Sequence, residues 1–117
     1  SRVKSKLKMM GVDSTVIRKV SIAMYEGEIN MVIHANGGTI KVLVSDDNIR
    51  IILADTGPGI PDVEKAMQQG YSTAPEEVRS LGFGAGMGLP NMKRYTDEMK
   101  IDTVIGEGTT ITMKVHL

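Results

Sequence analysis

The chain has 117 residues, 41% of them hydrophobic, which is material for one compact domain with one core. Lys+Arg and Asp+Glu balance at 14 each, and the aromatics are three Tyr and one Phe, so the net positive field and stacking platforms of a nucleic-acid binder are missing. With no Cys there is no disulfide framework, thiolate metal site or thiol nucleophile.

No apolar run approaches the ~20 residues of a membrane span. Ser1 to Lys8 is basic and polar, without the apolar stretch of a secretory signal. A cytoplasmic location with neither a membrane nor a nucleic-acid partner is therefore expected. The nine Met residues are expected mostly as adaptable core filling.

In chain order, Arg2 to Met10 reads as a short basic helix ended by Gly11. Asp13 or Ser14 can cap a longer helix running to Ala35, where Asn36-Gly37-Gly38 stops it. Thr39 to Ser45 alternates and is rich in β-branched residues, the signature of a strand. Asp46-Asp47-Asn48 is a turn, and Ile49 to Ala54 is apolar enough to be a central strand. The loop Asp55 to Pro61 is punctuated by glycine and proline, and Asp62 to Gln69 makes a short helix. The glycine-rich segment Gly70 to Gly88 has no periodicity, and a loop of that length in a compact domain is usually functional or disordered. Helical spacing returns from Leu89 to about Met99. Two strands follow, Lys100 to Ile105 and Thr109 to His116, joined by Gly106-Glu107-Gly108 as a hairpin. This order predicts an α/β two-layer sandwich: a mixed, largely antiparallel sheet with helices on one face.

Glu26, Asn30 and His34 recur every fourth residue and share one stripe of the long helix. The stripe lies between an apolar strip of Val16, Val20, Ala23, Gly27 and Met31 and another of Ile22, Ile29 and Ile33. Glu26 and Asn30 should therefore face the sheet, while Glu28 points away, among Arg18, Ser21 and Tyr25. A carboxylate at the margin of a core is costly unless it is paired or used. An acid and an amide one turn apart suit a hard cation and proton transfer. The same pair also fits an ordinary helix carrying two tolerated polar groups. His34 reads as a helix-end residue with a structural role.

Asp55-Thr56-Gly57-Pro58-Gly59 follows a buried strand. A carboxylate there can accept from an amino group, and the glycines let a flat ring approach the backbone; alone, the run also fits a tight turn. Gly82-Phe83-Gly84-Ala85-Gly86-Met87-Gly88 runs into a helix, and bare amides at a helix start can receive an anion. It lacks the Gly-Lys-Ser/Thr of a P-loop and the preceding strand of a Rossmann turn, and a mobile structural linker is the alternative.

The conjunction is more specific than any part. Glu-x-x-x-Asn, Asp-x-Gly-x-Gly, Gly-x-Gly-x-Gly and Gly-Glu-Gly-Thr-Thr occur in that order between Thr15 and Val115. The chain resembles the GHKL (Bergerat-fold) superfamily of ATPases and kinases over nearly its whole length. The resemblance implies ATP and Mg²⁺ as cofactors and a single domain over 1–117. It implies Glu26 as the catalytic or water-orienting acid and Asn30 as the Mg²⁺ ligand. Asp55 becomes the adenine-reading acid, with Gly57 and Gly59 shaping the base pocket and Thr109 supporting the adenine contact. Gly84, Gly86 and Gly88 become phosphate-contacting glycines of a lid over about 70–88, with Ser72, Thr73 and Arg79 as polar or basic lid residues near the γ-phosphate.

The run Asp55 to Pro61, then Gly70-Tyr71-Ser72-Thr73, then Gly84 to Arg94 resembles the bacterial anti-sigma serine/threonine kinases, most of all their switch-kinase (RsbT-type) branch. That implies transfer of the ATP γ-phosphate to a Ser or Thr of a STAS-domain antagonist, binding of a sigma factor or other regulator, and a family in which homodimers are common. Two departures stand out. The strand expected before the opening helix is absent from this sequence, and the lid insert Ala74 to Leu81 is longer and more charged than the switch-kinase version. The alternatives are an ATP-binding regulatory module without catalysis and a detached catalytic domain of a histidine kinase. Against the second, no phosphoacceptor His motif is present, since His34 lies in the nucleotide helix and His116 in the last strand.

Overall fold

A computed structural model of the chain describes residues 2–35, 37–68 and 88–117. The element order is α1 (Arg2–Met9), α2 (Ser14–Ala35), β1 (Thr39–Val44), β2 (Asn48–Asp55), α3 (Val63–Ala66), α4 (Gly88–Arg94), β3 (Glu98–Val104) and β4 (Gly108–His116). Except for Gly88, the lid expected over about 70–88 lies outside the described residues, with its Ser72, Thr73, Arg79, Gly84 and Gly86.

Local chemistry sets most boundaries. Gly11 takes φ +79° after α1, where its N–H donates to the Lys8 carbonyl and the Val12 N–H to that of Leu7, the Schellman pattern. The Asp13 side chain accepts from the Thr15 N–H at 2.8 Å and so caps α2. The Asp62 side chain does the same for α3 through the Lys65 N–H at 3.1 Å. The helix expected from Asp62 to Gln69 is accordingly only Val63–Ala66.

The helix expected to reach Met99 ends at Arg94 instead. Thr96 Oγ1 donates to the Met92 carbonyl at 2.8 Å, and the Asp97 N–H already donates to Lys114 in the last strand. A hydroxyl that returns to the backbone competes with continued helix. From Glu98 onward Met99, Ile101 and Thr103 alternate inward, so the apparent helical spacing there is strand spacing.

The four strands form one sheet in the order β1-β2-β4-β3, and every pairing is antiparallel. Ile49, Ile51 and Leu53 of β2 and Ile111, Met113 and Val115 of β4 bury one face. Leu7 of α1, Ile17, Val20, Ala23 and Met31 of α2, and Leu89 and Met92 of α4 cover it in a single cluster. Each of these side chains except Ala23 contributes about 1.5–3 kcal/mol when fully buried. Met31, Met92 and Met113 are core and Met24, Met67 and Met99 pack at its margin, whereas Met9 and Met10 are exposed. Among the described residues no helix is long and apolar enough to cross a membrane.

Gly27, in the middle of α2, determines how closely the layers meet. A Cβ there would stand 2.6 Å from Leu53 Cδ2 and 3.3 Å from Met92 Sδ. Glycine inside a helix costs about 1 kcal/mol relative to alanine. Here it lets α2 lie directly against β2 and α4, and so brings Glu26 and Asn30 up to α4.

Candidate functional site

Glu26 and Asn30 are both half-buried, while Glu28 and Tyr25 are exposed on the opposite side of α2. Of this stripe, Glu26 and Asn30 meet the start of α4. A Cβ on Gly88 would lie 3.9 Å from Asn30 Oδ1 and 4.0 Å from Glu26 Oε2. One turn into α4, Asn91 Nδ2 donates to Glu26 Oε1 at 3.4 Å. Two hard oxygen donors thus converge on a backbone position without a side chain, and a neighbouring amide lies at the long end of hydrogen-bond range from the acid's other oxygen. The Gly27 contact and the Leu89 and Met92 anchors make this juncture part of the core packing.

Asp55 ends β2 and stands opposite Thr109 of β4. Its Oδ1 accepts from the Gly57 N–H at 2.9 Å and from the Thr109 N–H at 3.2 Å. The first bond curls the loop behind the strand, and the second ties that loop to the neighbouring strand. Among the described residues no hydrogen-bond donor reaches Oδ2.

The loop glycines have a physical reason in the protein itself. A Cβ on Gly57 would stand 2.5 Å from Ala35 Cβ at the end of α2. Gly59 has φ +83°, and a Cβ there would stand 2.8 Å from the Val104 carbonyl oxygen at the hairpin tip. The Gly106 N–H donates to the Pro58 carbonyl at 2.9 Å, so loop and hairpin tip are joined.

Thr109 is the one buried polar residue among those described, at 6% exposure. Its Oγ1 lies 2.9 Å from Thr103 Oγ1, which accepts from the Ile60 N–H at 2.8 Å. Beside these groups an open cleft of about 740 Å³ is lined by His34, Ala35, Gly37, Gly38, Thr56, Gly57, Pro58 and Gly106. Burial pushes the His34 imidazole below the ordinary histidine value of 6.5, which favours its neutral form.

The structure therefore groups Glu26, Asn30 and Gly88 at one juncture and Asp55, Gly57, Gly59 and Thr109 at another, with α2 running from the first toward the second. Sequence reasoning missed Asn91 and Thr103 and gave His34 no part in the cleft. The stripe Glu26-Asn30-His34 did carry a signal for His34, because it continues one turn further in the same direction.

Several known proteins are similar. The pattern of the family described as "Histidine kinase-, DNA gyrase B-, and HSP90-like ATPase" matches residues 10–117. The serine/threonine-protein kinase RsbT of Bacillus subtilis (strain 168) is 35% identical over 108 residues, spanning 89% of this chain and 75% of that protein. An anti-sigma F factor of Caldanaerobacter subterraneus subsp. tengcongensis is 35% identical over 113 residues, spanning 91% and 76%. One from Clostridium acetobutylicum is 36% identical over 103 residues, spanning 84% and 68%. In three dimensions the mycobacterial sensor histidine kinase MprB superposes with a TM-score of 0.61 at 18% identity, covering 86% of this chain and 71% of that one, a likeness of fold alone.

Proposed function

The chain belongs to the histidine kinase-, DNA gyrase B- and HSP90-like ATPase family, and from that premise we propose that it is an ATP-dependent serine/threonine protein kinase of a partner-switching pathway. The substrate is a Ser or Thr hydroxyl on a STAS-like regulator, and the companion partner is a sigma factor or another regulatory protein. The observation that carries this reading is the convergence of Glu26 and Asn30 on Gly88, since a module that only bound nucleotide would have no use for a half-buried acid beside the cation ligand.

Asp55 reads adenine: its free oxygen accepts from the exocyclic amine, where guanine would present a carbonyl. Gly57, Gly59 and Thr109 complete the base pocket. Gly88 would contact the phosphates; Gly84, Gly86, Ser72 and Thr73, expected to share that role, lie outside the described residues. The donor set suits Mg²⁺, because Asn30 Oδ1 is a hard oxygen beside a carboxylate. Asn30 would hold the ion together with phosphate oxygens and water, the usual shell of Mg²⁺ in nucleotide sites. When bound, the ion neutralises charge on the phosphate chain. Glu26 orients the acceptor hydroxyl or takes its proton as the oxygen attacks the γ-phosphorus and the bond to the β-phosphate oxygen breaks, releasing ADP. The names of the RsbT kinase and the anti-sigma F factors support this assignment.

The decisive experiment incubates the protein with γ-labelled ATP and purified STAS-domain regulators. Label should appear on a Ser or Thr of one of them. Glu26→Ala should keep ATP affinity but lose transfer by roughly 10²–10⁴. Tight ATP binding without transfer to any partner, in a protein that still binds those partners, would favour the regulatory module instead.

A further inference from the structure

Thr103 has no part in the reading above, yet three contacts converge on its hydroxyl. It stands opposite Thr109 in the β3–β4 ladder, and Thr109 stands opposite Asp55 in the β2–β4 ladder. Directly opposed residues share a sheet face. Asp55, Thr109 and Thr103 thus form one polar row across three strands, at the same end of the sheet and on its helix-covered side.

The hydrogen bonds around Thr103 are constrained by simple counting. A hydroxyl has one proton and two lone pairs. One lone pair receives the Ile60 N–H at 2.8 Å. The Thr109 hydroxyl lies at 2.9 Å, near the usual O–H···O range, whereas the Gly108 carbonyl lies at 3.4 Å, outside it. Two proton arrangements fit. In one, Thr109 donates to Thr103, whose own proton goes to the distant Gly108 carbonyl. In the other, Thr103 donates to Thr109, and the Thr109 proton is free to point elsewhere. The Thr109 oxygen stays in place in both. Its backbone N–H is already committed to Asp55, so the hydroxyl is what Thr109 has left to offer, and Thr103 decides whether it offers a proton.

We propose that Thr103 is a positioning residue of the base pocket that acts through Thr109: it fixes the Thr109 rotamer and leaves the Thr109 hydroxyl to donate a hydrogen bond to the purine's ring nitrogen beside the amine, directly or through water. This rests on the reading of Asp55 and Thr109 as the base pocket. In adenine that ring nitrogen accepts a hydrogen bond, whereas in a 6-oxopurine it carries a proton and can only donate one. The Thr103–Thr109 pair therefore adds to the selectivity that Asp55 begins. The Ile60 N–H bond to the same hydroxyl also ties the Asp55-to-Ile60 loop to this row.

The test is a double-mutant cycle on ATP affinity, with nucleotide-free melting curves to establish folding. Thr103→Val keeps the shape and removes both donor and acceptor. It should weaken ATP binding roughly fivefold, the effect of one ordinary hydrogen bond. Thr103→Ser should restore affinity to within about twofold of wild type, because it restores that hydroxyl. In a Thr109→Val background, Thr103→Val should cost less than about twofold more, since coupled residues are not additive. An equal loss in both backgrounds would overturn the proposal and leave Thr103 a loop tether only. Unchanged affinity in Thr103→Val, with Thr109→Val and Asp55→Asn both impaired, would overturn it while leaving the base pocket standing. If those two variants also bind ATP normally, the base-pocket reading itself falls.

Discussion

Asp55 Oδ1 accepts from two backbone N–H groups, so replacing this side chain changes more than a ligand contact. Asn is the informative substitution. Its carbonyl oxygen can keep both bonds while its amide nitrogen takes the place of Oδ2 and faces adenine's amine, donor against donor. Asp55→Asn should therefore melt near wild type but bind ATP at least tenfold more weakly, as expected from losing a charged hydrogen bond of roughly 1.5–3 kcal/mol. Asp55→Ala should bind equally poorly and also lose about 1–2 kcal/mol of stability, because two N–H groups lose their acceptor. Titration calorimetry and thermal melting separate the two effects; normal ATP affinity in folded Asp55→Asn would remove Asp55 from the base pocket. Asp55, Glu26, Asn30 and Thr109 could be singled out as candidates in the sequence because each belongs to a short motif. Thr103 and Asn91 could not. Thr103 meets Thr109 only through hairpin register, six residues apart in the chain, and Asn91 reaches Glu26 only because α4 packs on α2.

At the scale of elements, α4 and the loop after β2 are each held to a neighbour at a glycine, and the two glycines should respond differently. Gly88 has ordinary van der Waals room: a Cβ would lie 3.9 Å from Asn30 Oδ1 and 4.0 Å from Glu26 Oε2. Gly88→Ala should leave stability within about 0.5 kcal/mol of wild type, the usual span for substitutions that disturb no contact. Its methyl group nevertheless occupies the space both oxygens face, so Mg²⁺-ATP affinity should fall while stability does not. Equal Mg²⁺-ATP affinity in Gly88→Ala and wild type would mean that the juncture is not the phosphate end of the site. Gly59 combines φ +83° with a Cβ position 2.8 Å from a backbone carbonyl. Gly59→Ala should cost roughly 2 kcal/mol or more, from left-handed strain of about 1–2 kcal/mol plus that clash. A melting curve matching wild type would show that the loop can move off the hairpin tip. Among the described residues element existence and order were legible, and the boundary after α4 was not. Met92, Met99 and the residues between them fit a helical repeat, and only the Thr96 hydroxyl and the pairing of Asp97 with Lys114 reveal that the chain has already turned into β3.

For the whole molecule, the two-layer arrangement followed from alternating strand patterns and one long amphipathic helix, because both faces of the core are written in periodicity. The strand order β1-β2-β4-β3 was not, since β2 and β4 are distant in sequence and their pairing is a tertiary choice. His34 is half-buried at the end of α2, where desolvation lowers its pKa from 6.5, and this makes global stability depend on pH. The sign follows from proton counting. In the unfolded chain the imidazole takes a proton as pH falls through its ordinary value, whereas in the folded chain it stays neutral to a lower pH. Between those two values the unfolded state binds more protons, so stability drops as the solution is acidified. Above the unfolded value both states hold a neutral ring, and this residue contributes no slope. Carboxylates titrate mainly near pH 4, below this window. The melting temperature should thus fall between about pH 7 and pH 5.5, and His34→Gln, neutral at every pH in the range, should flatten that part of the curve. Parallel pH profiles for wild type and His34→Gln would mean that His34 is as hydrated in the folded protein as in the unfolded chain, and that the cleft wall it forms is open to water.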